Sequence, residues 1–182
     1  TARLVFVDGI FAGSLSTVLP GGGIVVAPLA SVLSDYGTIL RERLGQIAPI
    51  GSDAFRAINI AYLNDGALIL ARKNSINPRP IHVLNIATQN EAAIHNRTLV
   101  IAEAGADLTV IEDFVAVGDG VYCVNAVSEI DVAENARVRL IKLQREGGRS
   151  FHLASRAARV QRDIEEARRF GLAFGKHLGR GL

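Results

Sequence analysis

The sequence predicts a mainly β chain, with a small α/β region over residues 1–66 and a long series of short strands over 67–182. Three observations predict it. Before Gly66, strand, loop and helix patterns alternate. After Gly66, short apolar segments recur at close intervals with turn residues between them. No helical period of convincing length interrupts that series, which excludes an alternating βα architecture. On pattern alone the β part is a sandwich, a barrel or a solenoid.

The elements follow in order. Arg3 to Val7 is a strand signal ending at Asp8-Gly9, and Pro20-Gly21-Gly22-Gly23 is loop. Leu29 to Leu33 has the look of a helical turn or two. Leu40, Leu44 and Ile47 fall at i, i+4 and i+7, the stripe of an amphipathic helix. Ser52-Asp53 is a helix start, because either side chain can accept from a free first-turn N–H. Phe55, Ile58 and Tyr62 then form the apolar stripe of that helix, and Asn64-Asp65-Gly66 ends it.

The strands expected downstream are Ala67–Ala71, Ile81–Ala87, Leu99–Ala102, Leu108–Ile111, Val121–Val127, Ala136–Leu143, Phe151–Ala154 and Phe170–Phe174. Alternation of apolar and charged residues in Ala136–Leu140 reverses phase in Ile141–Gln144, which predicts a bulge or corner. No repeat of fixed period is visible. Ala106–Val110 and Ala136–Leu140 share a loose pattern of Ala followed by alternating apolar residues.

Composition bounds the function. The chain has 182 residues, 49% hydrophobic and 21% charged, as in an ordinary soluble domain. No apolar run approaches the roughly 20 residues of a membrane span, and no signal-peptide pattern is visible. Methionine is absent and residue 1 is threonine, so the sequence reads as an internal fragment of a longer protein. The lone cysteine, Cys123, excludes an internal disulfide and a multi-cysteine metal site, and fits a reducing, cytoplasmic compartment.

Charge is uneven. Residues 137–182 carry 12 Lys and Arg against 4 Asp and Glu, whereas residues 1–136 carry 8 against 14. Arg137, Arg139, Arg156, Arg159, Arg162, Arg168 and Arg169 could form a basic stripe able to hold phosphates. Aromatic residues are only 5% of the chain, too few for the stacking platforms of single-stranded nucleic-acid binding. Outward charges on strands are therefore expected.

Motifs for catalysis are missing. Gly21-Gly22-Gly23 lacks the residues of a phosphate-binding loop and is expected to be flexible. Glu112-Asp113 and Glu165-Glu166 are adjacent carboxylates that a strand would send to opposite faces, so each pair is expected to be solvated. His82, His95, His152 and His177 show no ligand spacing with one another or with Cys123. Glu91 and His95 would share a face only if Asn90–Arg97 were helical. Catalytic residues are not assigned, and no metal site is assigned from spacing.

Several segments stand out together: Arg-Leu-Val-Phe-Val-Asp-Gly-Ile-Phe (3–11), Leu29 to Gly45 ending in Arg-Leu-Gly, and Asp-Ala-Phe-Arg-Ala-Ile-Asn-Ile-Ala (53–61) followed by Asp65-Gly66. Downstream come Arg79-Pro-Ile81, Arg97 to Val100, Leu-Thr-Val-Ile-Glu (108–112), Gln144-Arg-Glu and Phe151-His-Leu153. In order and spacing they cover nearly the whole chain, and together they resemble the SufB/SufD family of iron–sulphur cluster assembly scaffolds. Asp-Ala-Phe near the Arg-Leu-Gly helix leans toward SufD.

The resemblance implies a parallel β-helix (solenoid), truncated at residue 182, after the small α/β region. It also implies a scaffold, not an enzyme, working with a SufB-like subunit and a SufC-like ATPase. No cofactor is expected on this fragment alone, and the iron–sulphur cluster would belong to the assembled complex. An open solenoid end predicts pairing, including a possible homodimer; no nucleic acid or membrane partner is expected.

Cluster-binding residues stay unknown. Two positions could meet iron. A Cys123 thiolate could ligate iron or receive sulphur, although its apolar strand points to a small buried hydrophobe. His152 could face inward near a cluster path, although a surface or satisfied histidine is the plainer expectation. The alternative function is a non-catalytic solenoid binding module whose basic C-terminal face recruits an acidic partner. A β-helix hydrolase or lyase is the third reading, and the clustered carboxylates it needs are not seen in the sequence.

Overall fold

The structure, a computed structural model, describes residues 1–18, 21–49, 51 and 53–161. The expected strand Phe170–Phe174, with Arg162, Arg168, Arg169, Glu165-Glu166 and His177, lies outside the described residues.

Seven strands wind the solenoid: β4 (Ala67–Ala71), β5 (Ile81–Ala87), β6 (Ala92–Ala102), β7 (Asp107–Ala116), β8 (Tyr122–Val132), β9 (Arg137–Arg145) and β10 (Phe151–Val160). Even-numbered strands stack in parallel in one sheet, in the order β10-β8-β6-β4, and odd-numbered strands stack in a second, β5-β7-β9. Ala67 lies beside Thr98, Ala92 beside Tyr122 and Cys123 beside Phe151, so a coil takes 28 to 31 residues. The β-helix expected from the family resemblance is the fold observed, with about three turns.

The N-terminal elements join both sheets. β1 (Arg3–Val7) pairs in parallel with β5, and β2 (Ile10–Phe11) closes that edge as an antiparallel hairpin. β3 (Ile24–Pro28) pairs antiparallel with β4 and closes the edge of the other sheet. Its Pro28 sits where an edge strand tolerates a missing donor.

Coil corners require left-handed backbone. Asn74 (φ 60°), Gly105 (φ 72°) and Asn135 (φ 55°) stack in successive coils at one corner. Asn74 N–H donates to Ala104 O at 2.9 Å, and Gly105 N–H donates to Glu134 O at 3.1 Å. Glycine and asparagine are the residues that adopt this conformation at least cost. A Cβ on Gly105 would also lie 2.4 Å from Asn74 Oδ1. The loose recurrence seen in the sequence follows from this corner: Leu108 stacks on Val138 and Val110 on Leu140.

Leu4, Phe6, Ile69, Val83, Val100, Val110 and Ile130 fill the space between the sheets. Burial of each such side chain contributes about 1.5–3 kcal/mol. The outer face of the β4–β6 region is covered by a 3-10 turn at Leu29–Val32 and helix α1 (Leu33–Arg43), which lay Leu29, Val32 and Leu40 on Leu68, Leu70, Leu99 and Ile101. Helix α1 ends before Leu44 and Ile47, which still pack against that cluster. Helix α2 (Ala54–Ala61) starts as expected, with Asp53 accepting from Phe55 N–H at 2.9 Å and Arg56 N–H at 3.4 Å. No described helix is long and apolar enough to cross a membrane.

Two expectations are corrected, and one question that spacing leaves open is answered. Strands β6, β7 and β8 run well past the apolar segments that announced them, because buried polar residues continue them, and β10 runs on to Val160 through half-buried and exposed residues. The bulge expected at Leu140–Ile141 does not form: β9 keeps one register from Asp107 against Arg137 to Val115 against Arg145. Lys142 takes an inward position beside Glu112, which reverses the apparent phase without bending the strand. Finally, Phe55, Ile58 and Tyr62 do not face the core; they are 52%, 40% and 67% exposed. The inner side of α2 is polar instead, and Asn59 is fully buried there.

Candidate functional site

Two polar centres lie on opposite faces of the β6–β8–β10 sheet. The outer centre is built on Arg97 and Glu129, neighbours on β6 and β8 with fully buried side chains. The Arg97 Nη2 to Glu129 Oε1 distance is 2.6 Å, and Arg97 Nε donates to the same oxygen at 2.8 Å. The other Glu129 oxygen accepts from the backbone N–H groups of Ile47 at 3.1 Å and Ala48 at 3.0 Å, and Gly45 N–H reaches both oxygens. Buried charge is tolerated only when paired and hydrogen-bonded in this way.

Asn59 completes the arrangement from α2. Its amide donates to the backbone carbonyls of Asn96 and Asn125, and its oxygen accepts from Arg97 Nη1 at 2.8 Å. Asp131 continues the line outward, accepting from Arg43 Nε at 2.7 Å and from Arg159 at 2.6 and 2.9 Å. These groups pin the 44–48 loop and α2 to the solenoid. Sequence reading missed Arg97, Glu129 and Asn59 as a set. The available signal was an arginine and a glutamate inside apolar strands, 32 residues apart, close to one coil.

Beside α2 a groove of about 550 Å³ opens between Phe55, Ile58, Tyr62 and Leu63 on one side and Ala93, His95, Cys123, Asn125 and Leu153 on the other. The Tyr62 and His95 rings stack with centroids 5.6 Å apart. Cys123 is half-buried on this floor, not enclosed as a core hydrophobe. Burial, and then the nearby Glu146 charge, push its thiol above the usual range. That disfavours the thiolate on which metal ligation and sulphur transfer depend. Burial lowers His95. Glu91 sits at a left-handed corner (φ 56°) ahead of β6, so the helical pairing of Glu91 with His95 does not arise.

The inner centre lies in the solenoid lumen, where β10 places His152 opposite Val124. Its side chain is 4% exposed. His152 Nε2 lies 2.5 Å from Lys142 Nζ, and its ring meets Phe114 edge-on with centroids 4.8 Å apart. Nδ1 is 2.6 Å from Glu146 Oε2, off the line of a hydrogen bond. Burial pulls the Lys142 ammonium below its usual range, with Glu112 opposing and Arg156 adding to the shift. Glu112 accepts from Ser128 Oγ at 2.8 Å and pairs with Arg156 at 3.3 Å. Of the two candidates, His152 thus faces inward and is partnered, while Cys123 lies on the outer face. The structure does not bring them together.

Glu112 and Asp113 do point to opposite faces, but neither is solvated; each is 2% exposed. Glu112 is held in the lumen as above, and Asp113 accepts from His82 at 3.2 Å and from Arg145 at 2.5 and 3.1 Å on the outer face of the β5–β7–β9 sheet. Among the expected outward arginines, Arg156 instead turns into the lumen to Glu112, while Arg159 lies on the outer face and pairs there with Asp131. Arg139 is exposed and pairs with Asp107. Among the described residues, no three His, Cys, Asp or Glu side chains are grouped to hold a metal ion.

Comparison with known proteins places this architecture. The family model "SUF system FeS cluster assembly, SufBD core domain" matches residues 84–180. The chain is 32% identical over 168 residues to the iron-sulfur cluster assembly SufBD family protein slr0076 of Synechocystis, covering 86% of this chain and 37% of that protein. It is 28% identical over 158 residues to the iron-sulfur cluster assembly protein SufD of Escherichia coli, covering 85% and 35%. A ycf24 SufBD family protein of Trieres chinensis is 25% identical over 146 residues, covering 77% and 30%. The chain therefore spans about a third of the length of these relatives. The match over 84–180, on the coils that carry both polar centres, shows that the chain belongs to the SufBD family.

Proposed function

We propose that this chain is the solenoid section of a scaffold subunit for iron–sulphur cluster assembly in the SUF system. It would support cluster formation at an interface with a SufB-like subunit and couple to a SufC-like ATPase. The cluster is cargo and not a resident cofactor of these residues. The observation that carries the reading is the SufBD core match on residues 84–180.

The physical reasoning agrees with a support role. Stacked coils with interlocked side chains hold their surfaces within the small tolerance that metal ligands on a neighbouring subunit require. The raised Cys123 thiol and the partnered His152 are arranged for packing and hydrogen bonding rather than for holding iron. We place the protein in the cytoplasm as part of the same proposal.

The test is anaerobic co-expression of the full-length protein with SufB-like and SufC-like partners. Recovery of a three-component complex carrying iron and sulphide supports the proposal. Recovery of the protein alone and free of iron, while the other two still associate, refutes it.

A further inference from the structure

The two sheets of the solenoid differ on their outer faces. Helix α1 covers Leu68, Leu70, Leu99 and Ile101, and α2 packs against β6 and β8, so both described α-helices lie on one sheet. On the other sheet, Leu84, Ile86, Ile111, Val115, Ile141 and Leu143 share the outward side of three successive rows across β5, β7 and β9. Leu143 is 39% exposed and the other five are half-buried. Parallel sheets are buried on both faces in most folds, and a contiguous exposed apolar patch marks an interaction site. Asp113 sits between Leu84 and Leu143 in the middle row, where His82 and Arg145 already hold it.

Charge decides what fits. The outward positions of β9 are Arg137, Arg139, Ile141, Leu143 and Arg145, because Val138 and Leu140 pack into the core. Arg139 pairs with Asp107 and Arg145 with Asp113, yet both arginine side chains stay more than half exposed. Arg137 is exposed beside them. Three arginines therefore face two carboxylates along this edge, and the face is basic. An aliphatic centre with an arginine rim is the composition of an interface between polypeptides. Its complement is an apolar stripe with an acidic flank, and an amphipathic helix carries both. A single nucleic-acid strand would use the arginines but not the aliphatic rows, which offer no Phe, Tyr or Trp for base stacking.

We propose that the outer face of β5, β7 and β9 is a docking surface for an acidic amphipathic helix of another polypeptide. The apolar stripe of that helix covers Ile111, Ile141 and Leu143, and its carboxylates face Arg137, Arg139 and Arg145. Leu143, the most exposed of the aliphatic residues, is the anchor, and the arginines set the charge preference. The inference goes beyond the role in cluster assembly and does not depend on it.

Fluorescence anisotropy with the full-length protein tests it. The probes are a labelled peptide of about 18 residues with a leucine stripe flanked by glutamates, the same peptide with lysines for the glutamates, and a labelled oligothymidylate of the same charge as the acidic peptide. The acidic peptide should bind about tenfold or more tighter than either other probe. Leu143→Ser should weaken it about tenfold, and Arg137→Glu combined with Arg139→Glu should reverse the order of the two peptides. No binding of the acidic peptide, equal binding of the two peptides, tighter binding of the oligothymidylate, or indifference to these substitutions overturns the proposal. Unchanged denaturation midpoints show that the variants keep the fold; should one unfold, the order of the three probes on the unaltered protein decides alone.

Discussion

Arg97 and Glu129 meet at 2.6 Å on adjacent strands of the solenoid, with no side-chain surface of either exposed to solvent. Glu129 also accepts from three backbone N–H groups of the 44–48 loop, so one carboxylate joins two coils and a surface loop. Removing one member strands the other charge in the interior. Arg97→Met should lower stability by about 3–5 kcal/mol. Arg97→Met combined with Glu129→Leu should cost less than the two single changes added together. Denaturant unfolding of the four proteins measures this, and strictly additive losses would contradict an isolated buried pair.

Asn59 is the only bridge from the inner side of α2 that bonds both β6 and β8 carbonyls and Arg97 among the described residues. Asn59→Leu keeps the volume and removes all three bonds. The loss should be about 1–3 kcal/mol for each buried partner left unsatisfied. Hydrogen exchange should then quicken in α2 before it does in β6 or β8. Equal acceleration throughout would show that α2 is held by something else.

Cys123 provides a pH test. Burial raises its thiol, and the negative charge of Glu146 adds to the shift. A thiol raised in the folded state contributes stability fully below its unfolded value, and the contribution fades as pH rises through the folded value. Alkylation by iodoacetamide should therefore be slow at neutral pH and show a midpoint above the roughly 8.5 of a free cysteine. A midpoint below that would mean a stabilised thiolate and return Cys123 to consideration as an iron or sulphur ligand.

The ends of elements were easier to read from sequence than their interiors. Asp53 announces α2 because a cap is a local interaction, and the recurrence at Ala106 and Ala136 marks a corner because left-handed backbone restricts residue choice. The full strands were hidden at Asn96-Arg97-Thr98, Glu112-Asp113 and Ser128-Glu129. These look like solvated breaks, and nothing local shows that their partners arrive from another coil. For the same reason the inward position of His152 could be raised as a possibility, but Lys142 and Glu146 beside it could not. The family resemblance supplied the β-helix, which strand pattern alone left open.

The α2 stripe is the sharpest case of a pattern that spacing shows without saying where it faces. Spacing at Phe55, Ile58 and Tyr62 shows that one face of the helix is apolar; it does not show which face meets the sheet. In a core-facing stripe, Phe55→Ala would cost about 3–5 kcal/mol. Here Phe55 and Tyr62 are more than half exposed, and the bonds that seat the helix come from Asn59, Arg56 and the backbone of Phe55. Phe55→Ser and Tyr62→Ser should each change the stability of this chain by less than about 1 kcal/mol, near the range of surface substitutions. Denaturation midpoints measure that directly. Losses of the core magnitude would mean that the stripe is buried after all, and the outward assignment of α2 would fail.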